Sequence, residues 1–257
     1  MLKIFHLKKQ RKKPEFSYIE IPITLNCNLK CNHCTFFCNL IDEKVYVDIN
    51  EFKKDINELA KKIDIKQLRL IGGEPLLHPD INQFVQETKN AFPKTSLSIA
   101  TNAILINSMP ESFWKTLKEY KTGVNISYYD IWENNFYKVT DILKEKEINY
   151  TVNNINFFYE QLNINGDSPI KKTFKNCLCK EYINLWEHKL YKCQKIFRLF
   201  YNKKYNTSIE LPPGIDIYKA SGKELYNKLV KNPKPFSACR YCHEKGILHK
   251  WSRYKQE

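Results

Sequence analysis

Strand-like and helix-like segments alternate in this chain from Ser17 to Asn153, and that order limits the fold more than any other feature. Ser17–Thr24 (SYIEIPIT) alternates apolar and polar residues, the pattern of a strand with one buried face. Asp48–Lys62 carries Ile49, Phe52, Ile56 and Leu59 at helical spacing, and Asp48 with Glu51 makes a capping-box-like start. Gln67–Ile71, Thr95–Ala100, Gly123–Tyr128 and Asn149–Asn153 read as further strands. His78–Phe92, Pro110–Tyr120 and Asn134–Lys146 read as the helices between them. Such an order implies a parallel sheet joined by right-handed crossovers. So many repeated units favour a partial or full α/β barrel over a flat sheet, although the order alone does not decide.

The regularity ends near Tyr159. Residues 159–176 read as a connector broken by Gly166 and Pro169. Tyr182–Trp186 and Lys189–Cys193 suit a hairpin around Glu187-His188, and Lys195–Tyr205 suits a helix. Pro212-Pro213-Gly214 marks a turn, and Ser221–Asn232 is a helix capped by Ser221 and Glu224. The chain thus divides into a basic tail (1–16), a regular core (17–158) and a different C-terminal region (159–257).

Hydrophobic residues make up 42% of the chain, enough for a real core, which excludes global disorder. No apolar run is long enough to span a bilayer, and Met1–Lys13 lacks the apolar stretch of a signal peptide. A cytoplasmic setting is expected, where nine cysteines point to metal or redox chemistry rather than disulfides. The formal charge of +14 fits a solvated lysine-rich surface, an anionic or phosphorylated substrate, or nucleic acid. No nucleic-acid-binding motif accompanies it, so nucleic acid is not the expected partner.

Cys27, Cys31 and Cys34 are spaced C-x3-C-x2-C directly after the first strand. Three thiolates this close cap three irons of a [4Fe–4S] cube and leave the fourth iron open to another ligand. Zinc held by the three cysteines and His33 is the competing metal reading. A ferredoxin-type cluster would need Cys38 as its fourth ligand, and chance spacing is the remaining alternative.

The loop resembles the signature of the radical S-adenosylmethionine (radical SAM) superfamily. Gly72-Gly73-Glu74-Pro75 after the second strand resembles that family's GGEP segment, which contacts the methionyl amino group of SAM. A carboxylate and backbone carbonyls suit an ammonium, and glycines allow close backbone approach. Ala100-Thr101-Asn102 is similar to the segment facing the SAM ribose, with Ala103 in place of the usual glycine. Asn125–Tyr128 ends the fourth strand, where Ser127 would contact SAM, and Tyr128, Tyr129 and Asp130 lie where a cavity wall should be, Tyr128 being a candidate catalytic residue. His33 takes the place of an aromatic that packs near the adenine. The resemblance implies a partial (β/α)6 barrel with the cluster at the C-terminal ends of the strands. It further implies SAM as cofactor, reductive cleavage to a 5′-deoxyadenosyl radical, hydrogen-atom abstraction, and a flavodoxin- or ferredoxin-type electron donor.

Cys177, Cys179, Cys193, Cys239 and Cys242 form a second group, and Cys239–Cys242 is a CxxC turn. Four of these would ligate a further metal centre, structural zinc being one reading. The group resembles a SPASM region, or its shorter twitch form, which holds one auxiliary [4Fe–4S] cluster. Lys189–Cys193 matches the end of the G-x4-C motif with His188 where glycine is usual, and Cys177 fits the preceding spacer better than Cys179. The architecture is similar to radical SAM dehydrogenases of aminoglycoside biosynthesis and to small proteins associated with surface-polysaccharide genes. Dehydrogenation or epimerisation of a sugar, cyclitol or nucleotide-linked sugar is the implied reaction, with Cys38 and the spare C-terminal thiol as candidate hydrogen donors. Peptide maturation is the alternative enzymatic reading; the short segment before the first strand leaves no room for an N-terminal peptide-recognition domain. A zinc-bound interaction protein is the non-enzymatic alternative.

Overall fold

The computed structural model describes residues 12–131 and 136–253. The alternating segment forms β1 (Glu15–Thr24), which buries Ile19, Ile21 and Ile23 on one face and turns Tyr18 and Glu20 to the other. It begins two residues earlier than the pattern suggests, because Glu15 and Phe16 pair with the start of the next strand. α1 (Ile49–Lys62) is capped by the Asp48 carboxylate, which accepts from Asn50 N and Glu51 N. There follow β2 (Asp64–Gly72), α2 (Ile81–Ala91), β3 (Ser96–Thr101), α3 (Glu111–Glu119), β4 (Gly123–Tyr128), α4 (Phe136–Glu145) and β5 (Tyr150–Asn154). Asn134, the expected start of α4, lies outside the described residues. His78 does not belong to α2: its Nδ1 accepts from Asp80 N in the turn before the helix.

β1 to β5 are parallel neighbours in chain order, and with the helices packed on one face they form a partial α/β barrel. Leu68, Leu70, Ile99, Val124 and Ile126 join the β1 isoleucines in the core beneath the helices. The opposite face carries Glu20, Arg69, Ala100, Asn125 and Ser127 and lines a cavity.

The chain then departs from a simple repeat. β6 (Phe157–Leu162) leaves this sheet. After α5 (Ile170–Lys175), β7 (Asn184–Trp186) returns to lie parallel to β1 on its free side, meeting it at Glu20 and Asn184. The sixth parallel strand therefore stands beside β1 and not beside β5. β8 (Lys189–Tyr191), α6 (Arg198–Tyr205), β9 (Gly214–Asp216) and α7 (Gly222–Tyr226) follow, with β8 and β9 extending the same sheet antiparallel. β10 (Cys242–Lys250) pairs antiparallel with β6 as a separate ribbon. Its end is strapped to the cysteine loop: Asn32 N donates to Ser252 O at 3.0 Å, and Cys31 bridges Arg253. Among the described residues, no helix is long and apolar enough to cross a membrane.

The β7–β8 turn has Glu187 at φ 46° and His188 at φ 61°, the two positive angles of a type I′ hairpin. That geometry explains why glycine is usual at position 188. Here the His188 ring gains a compensating bond, Nδ1 to Asp55 Oδ1 at 2.7 Å, and Tyr218 Oη donates to the same oxygen at 2.9 Å. The hydrogen bond to Asp55 raises His188 above its ordinary 6.5. A raised histidine pKa adds stability that is complete below the unfolded value and is lost as pH rises through the folded one. The unfolding midpoint should therefore fall as pH rises above about 6.5, with a shallower slope in His188→Gln. Equal slopes in a thermal melt series would show that the turn, not the ion pair, holds the hairpin.

Candidate active site

The cysteine loop is closed at its neck. Thr24 Oγ1 donates to Val45 O at 2.8 Å, and the Asn26 side chain both donates to Val45 O and accepts from Val45 N. Within the loop Cys27 Sγ accepts from Leu29 N at 3.4 Å, and Cys31 Sγ accepts from the Trp251 indole N–H at 3.3 Å. Burial pushes the Cys27 thiol up and the Cys31 thiol up to about 11. Cys38, buried, donates to the Cys34 sulfur; this bond lowers the Cys34 thiol and holds Cys38 well above its usual value. All four cysteines border one cavity of about 500 Å³.

The ends of β2, β3 and β4 form the adjoining wall. Gly72, Gly73, Thr101, Asn102 and Ser127 border the cavity. Glu74 and Pro75 do not. The Glu74 carboxylate is fully buried and accepts from Leu76 N, Thr101 Oγ1 and Asn102 N at 3.0, 2.7 and 2.8 Å. It braces β3 against β2 in place of facing an ammonium, and burial lifts it to about 7 against those three bonds. Asn102 Nδ2 in turn donates to Asn28 Oδ1 at 2.7 Å, which ties β3 to the cysteine loop. The glycines admit protein backbone: a Cβ on Gly73 would stand 2.3 Å from Asn26 O, and one on Gly72 2.1 Å from Thr24 O. Ala103, in the place of the usual glycine, adopts φ 64°.

Two expected residues face elsewhere. Tyr128 packs edge-on against Phe136 at 4.5 Å, while Tyr129 enters the cavity wall and leans on Trp251 at 5.1 Å. β4 ends at Tyr128, so strand parity no longer fixes the next side chain. His33 lies on a separate surface cavity and stacks on His249 at 3.8 Å. The cavity also brings in residues the motifs did not point to: Glu20, Arg69, Gln161, Tyr182 and Gln194. Glu20 accepts from Tyr18 Oη at 2.5 Å and from Gln194 Nε2 at 2.7 Å, with Arg69 Nη1 at 3.8 Å. A signal existed, since Glu20 and Arg69 occupy the strand positions opposite to the buried isoleucines and leucines.

The family model of the radical SAM superfamily matches residues 21–161, more than half of the chain. The chain belongs to the radical SAM superfamily. This family implies a [4Fe–4S] cluster and SAM. The residues present fit them: three thiols on one cavity, two already holding N–H donors of the kind cluster sulfurs accept. Among curated relatives, a GTP 3′,8-cyclase of Clostridium acetobutylicum is 31% identical over 126 residues, covering 48% of this chain and 38% of its own. A GTP 3′,8-cyclase of Listeria monocytogenes is 38% identical over 133 residues, covering 48% of this chain and 36% of its own. The radical SAM chain thus spans well under half the length of these relatives. The crystal structure of BtrN in complex with AdoMet and 2-DOIA superposes with a TM-score of 0.52 at 16% identity, covering 91% of this chain and all of that one. At that identity the likeness establishes the fold.

The second cysteine group in this radical SAM enzyme is divided by the structure. Cys177, Cys193, Cys239 and Cys242 line one small cavity, together with Arg198. Cys179 turns to the large cavity, its thiol donating to Gln161 Oε1 at 3.6 Å and Gln194 Oε1 at 3.7 Å. Burial pushes Cys193 up to about 12 and raises Cys239. Arg198 is 1% exposed; it donates to Ala238 O, Tyr241 O and the Cys242 sulfur, and its Nε has no partner among the described residues. A guanidinium stays charged, so a buried one beside four thiols fits sulfur carried as thiolate.

Proposed function

We propose that this enzyme takes a hydrogen atom from a hydroxyl-rich small molecule, a sugar or cyclitol, and completes a dehydrogenation. The observation that carries this reading is the single cavity whose wall includes the cluster-loop cysteines, the polar strand face and the edge of the second cysteine group. Cys27, Cys31 and Cys34 hold the [4Fe–4S] cluster, and SAM lies against Gly72, Gly73, Thr101, Asn102 and Ser127, which border the same cavity. Cys177, Cys193, Cys239 and Cys242 hold an auxiliary [4Fe–4S] cluster. When bound, these groups supply a hydrogen-abstracting radical and an electron acceptor. The core at 17–158 serves the first site and the region 159–257 the second. Nine free thiols suit a reducing, cytoplasmic setting with a small electron-transfer protein as donor.

The chain's own residues then account for substrate choice. Glu20, Gln194, Gln161, Asn125 and Ser127 offer donors and acceptors to hydroxyl groups. Glu20, raised by burial, is the carboxylate placed to accept a hydroxyl proton. The wall's one cation among the described residues is Arg69, already facing Glu20. A triphosphate needs several cations, so the cavity favours a neutral substrate over GTP or a phosphorylated sugar. Epimerisation is a second reading, resting on the Cys179 thiol at the cavity wall.

The test is anaerobic incubation of cluster-loaded enzyme with SAM and perdeuterated sugars or cyclitols, with GTP in parallel. Deuterated 5′-deoxyadenosine and a ketone from a polyol are expected, with Cys179→Ala still active. A product of unchanged oxidation state that requires Cys179 would select epimerisation. Turnover of GTP alone would sink both.

A further inference from the structure

Beyond these two sites, three side chains from three segments converge where the β6–β10 ribbon meets the cysteine loop. His33 comes from the loop, Glu160 from β6 and His249 from β10. His249 Nε2 lies 2.9 Å from Glu160 Oε2, and His33 Nδ1 lies 3.6 Å from the same oxygen. The two imidazoles stack at 3.8 Å with 15° between their planes. One ligand atom from each residue falls within 4.8 Å of the other two. His33 holds φ 56°, a conformation that costs a non-glycine residue about 1 kcal/mol.

As neutral ligands the same rings and carboxylate form a two-nitrogen, one-oxygen donor set open on the side of a cavity of about 200 Å³. That set suits a borderline divalent ion, zinc above all, with water completing the coordination. We propose that His33, Glu160 and His249 bind a zinc ion that pins the β6–β10 ribbon to the cysteine loop. The ion has no redox part. Its position is structural, reinforcing the Asn32–Ser252 and Trp251–Cys31 bonds on the same seam.

The experiment uses the iron-loaded protein, so that the cysteines are occupied. The protein is equilibrated with zinc, and zinc and iron per chain are measured for wild type, His249→Ala and Glu160→Gln. Wild type should retain one zinc, with X-ray absorption showing nitrogen and oxygen at about 2.0–2.1 Å. Either variant should bind it at least about tenfold more weakly, the loss that even an outer partner causes, with iron unchanged. No zinc in wild type, sulfur at about 2.3 Å, or undiminished zinc in both variants would overturn the proposal. If His249→Ala also loses iron, the isosteric Glu160→Gln decides alone.

Discussion

Gly73→Ala should cost the enzyme about a hundredfold in SAM cleavage and about 1–3 kcal/mol or more in stability. The added methyl would meet Asn26 O at 2.3 Å, Asn26 C at 2.7 Å and Leu25 O at 2.8 Å. All three are backbone atoms, so no side chain can swing aside. Relief requires the end of β2 to part from the residues before Cys27 by about 1 Å, a displacement large enough to spoil a reacting geometry. The same movement breaks Gly73 N to Thr24 O and Glu74 N to Asn26 O, the bonds that register the two segments. Gly123→Ala is the control: its Cβ would lie 3.2 Å from Asn149 O, far from the cysteine loop, and a small shift admits it. The measurements are thermal midpoint, iron per chain and 5′-deoxyadenosine formation. A Gly73→Ala protein with wild-type values in all three would show that this packing does not position the loop.

That prediction differs from what the motif alone suggests, and the difference marks where sequence stops being informative. Strand parity and helical spacing are local, so β1 to β5 and their helices were legible, as was the loop that follows β1. The carboxylate of Glu74 and the bare faces of Gly72 and Gly73 looked suited to SAM. Only the approach of Asn26 and Thr24, some fifty residues earlier, shows that the glycines seat protein backbone and that Glu74 braces Thr101 and Asn102. Cys177 and Cys179 are two residues apart in a turn, where no periodicity assigns sides. Gln161, Gln194 and Arg198, from other elements, do so. The pairing of β6 with β10 joins residues some eighty or more apart and carries no local signature. It decides the direction of His33.

The second large effect is expected from Arg198→Met, and its sign depends on iron. Arg198 is almost wholly buried, with Nη1 on Ala238 O at 3.1 Å and Nη2 on Tyr241 O and Cys242 Sγ at 2.8 Å each. Without iron, the guanidinium faces protonated thiols, and a buried unbalanced charge costs several kcal/mol. Methionine removes that cost while leaving two carbonyls without a donor, at about 1–3 kcal/mol each. The two effects nearly cancel, so the iron-free variant should melt close to the iron-free wild type. With four thiolates and a cluster of net negative charge, the guanidinium is the counter-charge, and its loss is uncompensated. Iron should then fall from about eight to about four per chain, with the loaded form losing about 3–5 kcal/mol. Arg198→Lys, which keeps the charge but not the fork, should retain part of the iron. Equal destabilisation of the iron-free and loaded forms would mean that Arg198 serves only the carbonyls of 238 and 241. The cysteines around it would then have no claim to a second cluster.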